Sequence, residues 1–196
     1  MPTFSESIAA GGRVVGRDRD DRKDPIKIFE YDSAWRDRYE EMRLRLLDAL
    51  GELALRIEHV GSTSVPGLPA KPIVDIQVSV PDVDDDDAFR ALIESLGFQL
   101  RFIEAGHRYF QPPPGQPRTY QIHVCTIGGD WERVHLLFRD YLRAHPQVAY
   151  EYGAMKKRLA GQYATDRIQY NDEKGPFITA VLAAAEDWAA ETDWTP

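Results

Sequence analysis

Residues 58–78 read EHVGSTSVPGLPAKPIVDIQV, and this stretch decides the fold that the chain adopts. The small residues from Gly61 to Ser64 predict a turn at the end of a strand, and a connection punctuated by proline and glycine follows it. From Ile73 to Val80, apolar and polar side chains alternate, which predicts a second strand. The alternation places Asp75 and Gln77 on one face of that strand, close to the turn.

The segments on either side of this stretch predict further helices and strands. Apolar residues at spacings of three and four predict a helix that is capped by Asp32 or Ser33 and ended by Gly51. The other predicted elements are a short strand over 26–29, a strand from 53 to the Gly61 turn, a helix over 89–96, a hairpin over 98–111, a strand over 120–126, and three helices that begin near 131, 146 and 178. The order indicates an α+β fold, with a mixed sheet first and a helical part last.

The composition fits one globular domain. The chain has 196 residues, of which 43% are hydrophobic and 29% are charged, as in soluble globular proteins. Residues 1–24 contain few large apolar side chains and include a run in which arginine alternates with aspartate. We therefore expect a flexible N-terminal arm over 1–24 and a single folded domain over 25–196.

Charge and cysteine content narrow the class of protein. The net charge of −8 argues against general nucleic-acid binding, because that function needs a basic surface. No apolar run approaches the roughly 20 residues of a membrane span. We also expect no secretory signal, because the N-terminus lacks a basic start followed by an apolar block. The single cysteine, Cys125, fits a reducing compartment, so a cytoplasmic protein is expected.

The turn and the strand that follows it predict a candidate site. Free backbone N–H groups at the turn that begins at Gly61 could bind an anion. A carboxylate on the adjacent strand, Asp75, could hold a divalent ion that bridges phosphates. The alternative is structural: Gly61 and the prolines form a tight connection, and Asp75 caps it.

Two blocks of the sequence resemble the GrpB-like proteins. The first is the stretch quoted above, and the second is WERVHLLFRDYLRAHP over 131–146. The resemblance covers about residues 26–190. GrpB-like proteins are classed in the nucleotidyltransferase superfamily, so it implies a nucleotidyltransferase-like mixed β-sheet with flanking helices and a C-terminal helical part. That superfamily carries a Gly-Ser turn followed by Asp-x-Asp or Asp-x-Glu, and Gly61-Ser62 and Asp75 correspond to the turn and the first acid.

The chain departs from the superfamily pattern at two positions. Gln77 stands where the second acid is expected, and His123 lies on the strand expected to supply the third. The resemblance implies catalytic roles for Asp75, Gln77 and His123, and metal ligation by Asp75 and His123. The turn offers nucleotide or phosphate contacts from Gly61, Ser62, Thr63 and Ser64. Lys71, on the segment that leads into the Asp75 strand, could contact phosphate or be exposed to solvent. The metal would be Mg, Mn or Zn, and an imidazole ligand shifts the preference away from Mg.

Three functions are consistent with these residues. The first is binding of a nucleotide or another phosphorylated small molecule, with nucleotidyl transfer to a small acceptor. The second is a non-catalytic ligand-binding or accessory module that has lost its metal-binding acids, since GrpB-like domains also occur fused to dephospho-CoA kinase. The third is a metal-dependent enzyme of another class that uses Asp75 and His123.

Other polar residues admit both a structural and a functional interpretation. His59 could contact a ligand or be a buried, hydrogen-bonded histidine, and Cys125 is expected to be inert. The acidic run over 82–87 is more typical of a solvated loop that leads into a helix than of a metal site. Charged or aromatic residues considered for the pocket, with a surface or ion-pair role favoured, are Arg108, Arg118, Arg139, Asp140, Lys156, Arg158, Arg167, Tyr170 and Lys174.

Overall fold

The computed structural model describes Glu6, residues 9–15 and residues 25–196. Within these residues, six strands form one mixed sheet in the order β1-β4-β5-β6-β3-β2. The strands are β1 (Arg13–Val14), β2 (Arg56–Val60), β3 (Val74–Val80), β4 (Gln99–Glu104), β5 (His107–Gln111) and β6 (Tyr120–Thr126). The helices are α1 (Ala34–Leu50), α2 (Asp86–Ser95), α3 (Asp130–Ala144), α4 (Pro146–Gln162), α5 (Arg167–Asp172) and α6 (Gly175–Glu191). The predicted mixed sheet with flanking helices is confirmed.

The pairing of the central strands positions the candidate site. β3 pairs antiparallel with β2 and parallel with β6. The register sets Val60 opposite Asp75 on one side of β3 and Gln121 opposite Asp75 on the other. Because β2 ends at Val60, the turn that follows it begins directly beside the Asp75 carboxylate.

The apolar face of the sheet packs against the first two helices. The predicted stripe of α1 is buried and consists of Trp35, Tyr39, Met42, Leu46 and Leu50. It packs in one cluster with the apolar side chains of β3, as well as with Phe89 and Ile93 of α2. A second cluster joins Val65 and Leu68, from the connection after the turn, to α3, α4 and α6.

The polar face of β3 is also buried, because α3 packs across it. Ser79 is fully buried and donates a hydrogen bond to the Glu132 carboxylate of α3 at 2.5 Å. The same carboxylate accepts a hydrogen bond from the backbone N–H of Gly128 at 2.5 Å. Gln77 has no solvent exposure at all. β3 is therefore a central strand covered on both faces.

Several element predictions need correction at their ends. The strand expected over 26–29 is a single bridge between Phe29 and Ala70, and the strand expected from 53 begins at 56 because a 3₁₀ turn occupies Gly51–Leu53. Helix α5 was not predicted. Arg13–Val14, inside the expected N-terminal arm, pairs with β4, while most of the remaining arm lies outside the described residues. Among the described residues, no helix has the length and apolarity to cross a bilayer.

Candidate functional site

A cavity of about 330 Å³ opens where the turn, β3, β6 and the helical part meet. This volume is at the lower end of the range for small-molecule sites. Six of the residues predicted from the sequence line it: Gly61, Ser62, Thr63, Lys71, Asp75 and His123. The helical part contributes Tyr152, Lys156, Tyr170 and Lys174. We call this cavity the Asp75 pocket.

Gly61 allows the turn to lie against the Asp75 carboxylate. Its φ angle of 68° is in the left-handed region that favours glycine. A Cβ atom at this position would lie 2.4 Å from Asp75 Oδ2. The next residue, Ser62, is hydrogen-bonded to the hydroxyl of Tyr152, whose pKa is raised by burial. The turn is thereby attached to helix α4.

The hydroxyls of Thr63 and Ser64 stabilise the turn itself. Thr63 donates to the carbonyl of Ile73 at 3.2 Å, so its oxygen accepts the hydrogen bond from His59 Nε2 at 2.9 Å. Ser64 donates to the carbonyl of Gly61 at 2.6 Å and lies on another cavity, outside the Asp75 pocket. Burial lowers the pKa of His59 to about 4. His59 is a neutral structural histidine, as one of its two interpretations predicted.

The Asp75 carboxylate is held by β6 and faces the pocket. In the amide orientation that satisfies its neighbours, Gln121 donates to Asp75 Oδ1 at 2.8 Å and accepts from Arg118 Nε at 2.8 Å. His123 Nε2 lies 3.6 Å from the same carboxylate oxygen. The Asp75 side chain retains 24% exposure, so a ligand in the pocket could contact it.

Three lysines, Lys71, Lys156 and Lys174, also line the pocket. The Nζ atoms of Lys71 and Lys174 lie 4.8 and 4.7 Å from the Tyr170 ring centroid. Lys156 is 3% exposed, and its Nζ donates to the carbonyl of Pro69 at 2.6 Å. Burial lowers the pKa of all three, that of Lys174 to about 8, and the neighbouring ammonium groups add to the shifts of Lys71 and Lys156. Among the described residues, the pocket lining therefore includes three lysines and one carboxylate, that of Asp75.

Sequence reasoning missed His135, which also lines the pocket. Its Nδ1–H donates to the carbonyl of Trp131 at 2.7 Å, which leaves Nε2 as a hydrogen-bond acceptor. Burial lowers its pKa well below the usual value, so the ring is neutral. The only sequence signal was its place one helical turn after Trp131 in the second block.

Gln77 does not reach the pocket. Its side chain is buried beneath α3 and absent from the pocket lining. Neither amide atom has a hydrogen-bond partner among the described residues. The residue at the position of the second acid is therefore separated from Asp75, and we do not include it among the ligand contacts.

The donor atoms of the pocket do not fit a tightly held divalent metal. Asp75 and His123 are brought together, as predicted, but the described residues contain no group of three or more histidine, cysteine or acidic side chains that could hold an ion. Three lysine ammonium groups face the same space. Mg and Mn sites rely on several oxygen ligands, and Zn sites on three or four protein ligands.

Most of the other charged residues considered have structural partners. Arg108 binds Asp84 at 2.7 Å and Asp86 at 2.6 Å, so part of the acidic run is an ion-pair partner for a buried arginine. Arg139 binds Glu58 at 2.6 Å and Asp140 at 2.7 Å. Burial raises the pKa of Cys125 to about 12, so its thiol is protonated at neutral pH. Arg118, Lys156, Tyr170 and Lys174 do line the Asp75 pocket, while Arg158 is exposed and absent from its lining.

In the described part of the chain, a six-stranded mixed sheet with flanking helices places a pocket lined by lysines beside a Gly-Ser turn. The protein is therefore of the mixed α/β class. Residues 25–184 match the family model described as GrpB protein, and the chain is a member of the GrpB family.

Relatives support this assignment over most of the chain. A UPF0157 protein of Streptomyces coelicolor is 39% identical over 82% of this chain and 84% of its own. The UPF0157 protein YqkA of Bacillus subtilis is 36% identical over 85% of this chain, which spans only 49% of that relative. The crystal structure of the conserved protein GrpB from Enterococcus faecalis is 34% identical, with a TM-score of 0.73 over 83% of this chain and 99% of that one.

Proposed function

We propose that the Asp75 pocket binds the phosphate group of a phosphorylated small molecule, with nucleotides as the first class to test. The proposal rests on the convergence of Lys71, Lys156 and Lys174 on one cavity, in which Asp75 supplies the one carboxylate found among the described lining residues. Phosphate oxygens accept charge-assisted hydrogen bonds from ammonium groups. The lysine side chains of the pocket can donate such hydrogen bonds to a phosphate group.

The electrostatics of the three lysines support the same ligand class. Each of the three lysines has a lowered pKa, which means that the folded protein disfavours its charged form. A phosphate dianion between the ammonium groups would remove their mutual repulsion and favour the charged forms. Binding of an anion would therefore stabilise the fold as well as the ligand.

Nucleotidyl transfer is the second candidate, and Asp75 favours it. Its carboxylate faces the pocket beside the Gly61 turn and could accept a hydrogen bond from an acceptor hydroxyl. The lysines could stabilise negative charge on the phosphates during transfer. If no transfer occurs, the same pocket would serve a ligand-binding or accessory module.

Thermal melts with anions test the binding proposal. Phosphate, pyrophosphate and nucleoside triphosphates should each be compared with chloride at equal ionic strength. A ligand at 100 times its Kd should add about 2.7 kcal/mol to the unfolding free energy, which raises the Tm by about 5–10 °C for a chain of this size. Lys156→Met should abolish the shift. Lys157→Met, a change at the adjacent exposed lysine, should preserve it, and equal shifts in the two variants would refute the site.

Transfer is tested separately from binding. The protein is incubated with each nucleoside triphosphate and a panel of small alcohols, and release of pyrophosphate is measured. Loss of turnover in Asp75→Asn, with the anion-dependent Tm shift retained, would support transfer. Binding without pyrophosphate release in any combination would leave the ligand-binding module as the function.

A further inference from the structure

A chain of ionisable side chains runs from the Asp75 pocket to the β4–β5 hairpin. His123 Nε2 faces Asp75 Oδ1 at 3.6 Å, and its Nδ1 lies 3.0 Å from His107 Nε2. His107 Nδ1 lies 2.8 Å from Glu104 Oε1. The two imidazole rings are stacked at 5.1 Å, and Trp131 of α3 stacks on His107 at 4.2 Å. Neither Glu104 nor His107 was selected from the sequence.

The hydrogen-bond donors and acceptors in this series of side chains determine which ring nitrogens carry protons. A carboxylate can only accept, so the contact with Glu104 places the proton of a neutral His107 ring on Nδ1. His107 is 5% exposed, and burial lowers its pKa to about 4, so the ring is neutral. Its Nε2 must then accept from Nδ1–H of His123. In a neutral His123 ring, Nε2 is left unprotonated toward the pocket.

The distance between the His123 ring and the Asp75 carboxylate agrees with this assignment. A separation of 3.6 Å between His123 Nε2 and Asp75 Oδ1 exceeds the length of a hydrogen bond. No hydrogen bond joins the two atoms, and with Nε2 unprotonated they would be two acceptors on the same side of the pocket. His135 Nε2 is a further acceptor in the pocket lining, since its other ring nitrogen donates to a carbonyl.

We infer that Glu104 and His107 are positioning residues, which hold His123 with Nε2 unprotonated so that it and Asp75 form an acceptor pair for hydroxyl groups of the bound molecule. The ligand class becomes a phosphorylated alcohol, such as a sugar phosphate or a nucleoside phosphate, rather than a bare phosphate. The identity of the ligand rests on the proposed function, whereas the orientation of the rings does not.

Nitrogen-15 NMR of the ligand-free protein tests the positioning role directly. Long-range proton–nitrogen spectra distinguish protonated from unprotonated ring nitrogens for each histidine. In the wild type, His123 should show a protonated Nδ1 and an unprotonated Nε2. His107→Phe keeps an aromatic ring next to Trp131 but removes the acceptor, so the His123 signals should shift to a mixture of tautomers.

Two further variants keep this test interpretable. Glu104→Gln leaves both rings in place, and its amide can donate to His107 or accept from it, so it should shift the His107 and His123 signals without unfolding. His145→Phe is the matched control, because His145 stacks on Tyr141 at 3.9 Å and is absent from the pocket lining; it should leave His123 unchanged. A protonated Nε2 on wild-type His123, or unaltered His123 signals in both Glu104→Gln and His107→Phe, would overturn the inference.

Ligand affinity tests the acceptor pair. Ribose 5-phosphate and inorganic phosphate are titrated into the wild type and His107→Phe. The variant should bind ribose 5-phosphate about two- to tenfold more weakly, which corresponds to one hydrogen bond to a neutral acceptor, and bind inorganic phosphate equally well. Equal losses for both ligands would overturn the acceptor pair. If neither ribose 5-phosphate nor inorganic phosphate binds the wild type or the variant, the phosphate pocket and its hydroxyl-bearing ligand are refuted. The NMR result on ring orientation would stand by itself.

Discussion

Gly61 and Asp75 constrain each other at the scale of single atoms. The backbone of Gly61 takes up a left-handed conformation, and the space that a side chain would occupy is filled by the Asp75 carboxylate. Asp75 is in turn oriented by Gln121 from the neighbouring strand. The sequence pattern identified Gly61 and Asp75 as partners, whereas Gln121 came to light only through the pairing of β3 with β6.

Gly61→Ala should destabilise the protein by more than a glycine replacement at an uncrowded turn. With φ 68° and ψ −173°, Gly61 has a backbone conformation that is essentially restricted to glycine and costs another residue about 1–3 kcal/mol, and the new methyl group would also displace the Asp75 carboxylate. Gly67→Ala is the matched control, because its φ of 78° is similar but no atom lies within 4 Å of the added Cβ. Denaturant unfolding should therefore show a larger loss for Gly61→Ala. Equal losses in the two variants would mean that the contact with Asp75 has no energetic effect.

Lys174 should make phosphate binding depend on pH. Burial lowers its pKa from 10.5 to about 8 in the ligand-free fold, so affinity should fall as the pH rises above about 8 and the ammonium group loses its proton. Stability should change in the opposite direction. Because the unfolded chain binds more protons between pH 8 and 10.5, the ligand-free protein should become more stable across that window.

Calorimetric titration of phosphate between pH 7 and 9.5 measures this dependence. Lys174→Arg is the control, because a guanidinium group stays charged throughout the range. The variant should show a smaller fall in affinity than the wild type. The same fall in both proteins would assign the pH dependence to another group.

At the scale of elements, β3 shows where sequence patterns are informative and where they are not. Its alternation predicted the strand and the common face of Asp75 and Gln77, since these follow from local geometry. The burial of Gln77 follows instead from α3, which crosses that face of the sheet from a segment far along the chain. His135, Lys156 of α4 and Lys174, which precedes α6, join the site for the same reason, because contacts between distant segments leave no local periodicity.

Glu132 connects α3 to the sheet and should be important for stability. It is 1% exposed, and its carboxylate binds Ser79 of β3 and the backbone of Gly128. Glu132→Ala leaves the buried Ser79 hydroxyl without this acceptor, removes the carboxylate 3.4 Å from Arg56 Nη1, and should cost about 3 kcal/mol. Glu186→Ala removes an exposed ion pair with Arg133 and should cost less than about 1 kcal/mol. Urea unfolding of both variants checks this difference, and similar midpoints would show that Glu132 is not a structural link.

On the scale of the whole molecule, the pocket lies between two clusters of buried apolar side chains. One cluster joins the sheet to α1 and α2, and the other joins the residues after the turn to α3, α4 and α6. Gly153 of α4 allows close approach, since a Cβ there would lie 2.9 Å from Pro69. Lys156 donates to Pro69 on the same connection. A ligand that binds the three lysines and Asp75 would contact both clusters at once.

Phosphate should therefore reduce local opening of the helical wall, most of all around α5 and the start of α6. The Nζ atoms of Lys71 and Lys174 lie 4.8 and 4.7 Å from the Tyr170 ring centroid, and an anion bound near both would replace repulsion between the ammonium groups with attraction. Hydrogen exchange with and without phosphate should show slower exchange over 167–178, while α2 on the far face of the sheet should be unaffected. Lys174→Met lacks one of the three cations and should lose most of this protection at the same phosphate concentration. Protection that spreads evenly over all helices, or that persists in Lys174→Met, would indicate general stabilisation by phosphate rather than binding in the Asp75 pocket.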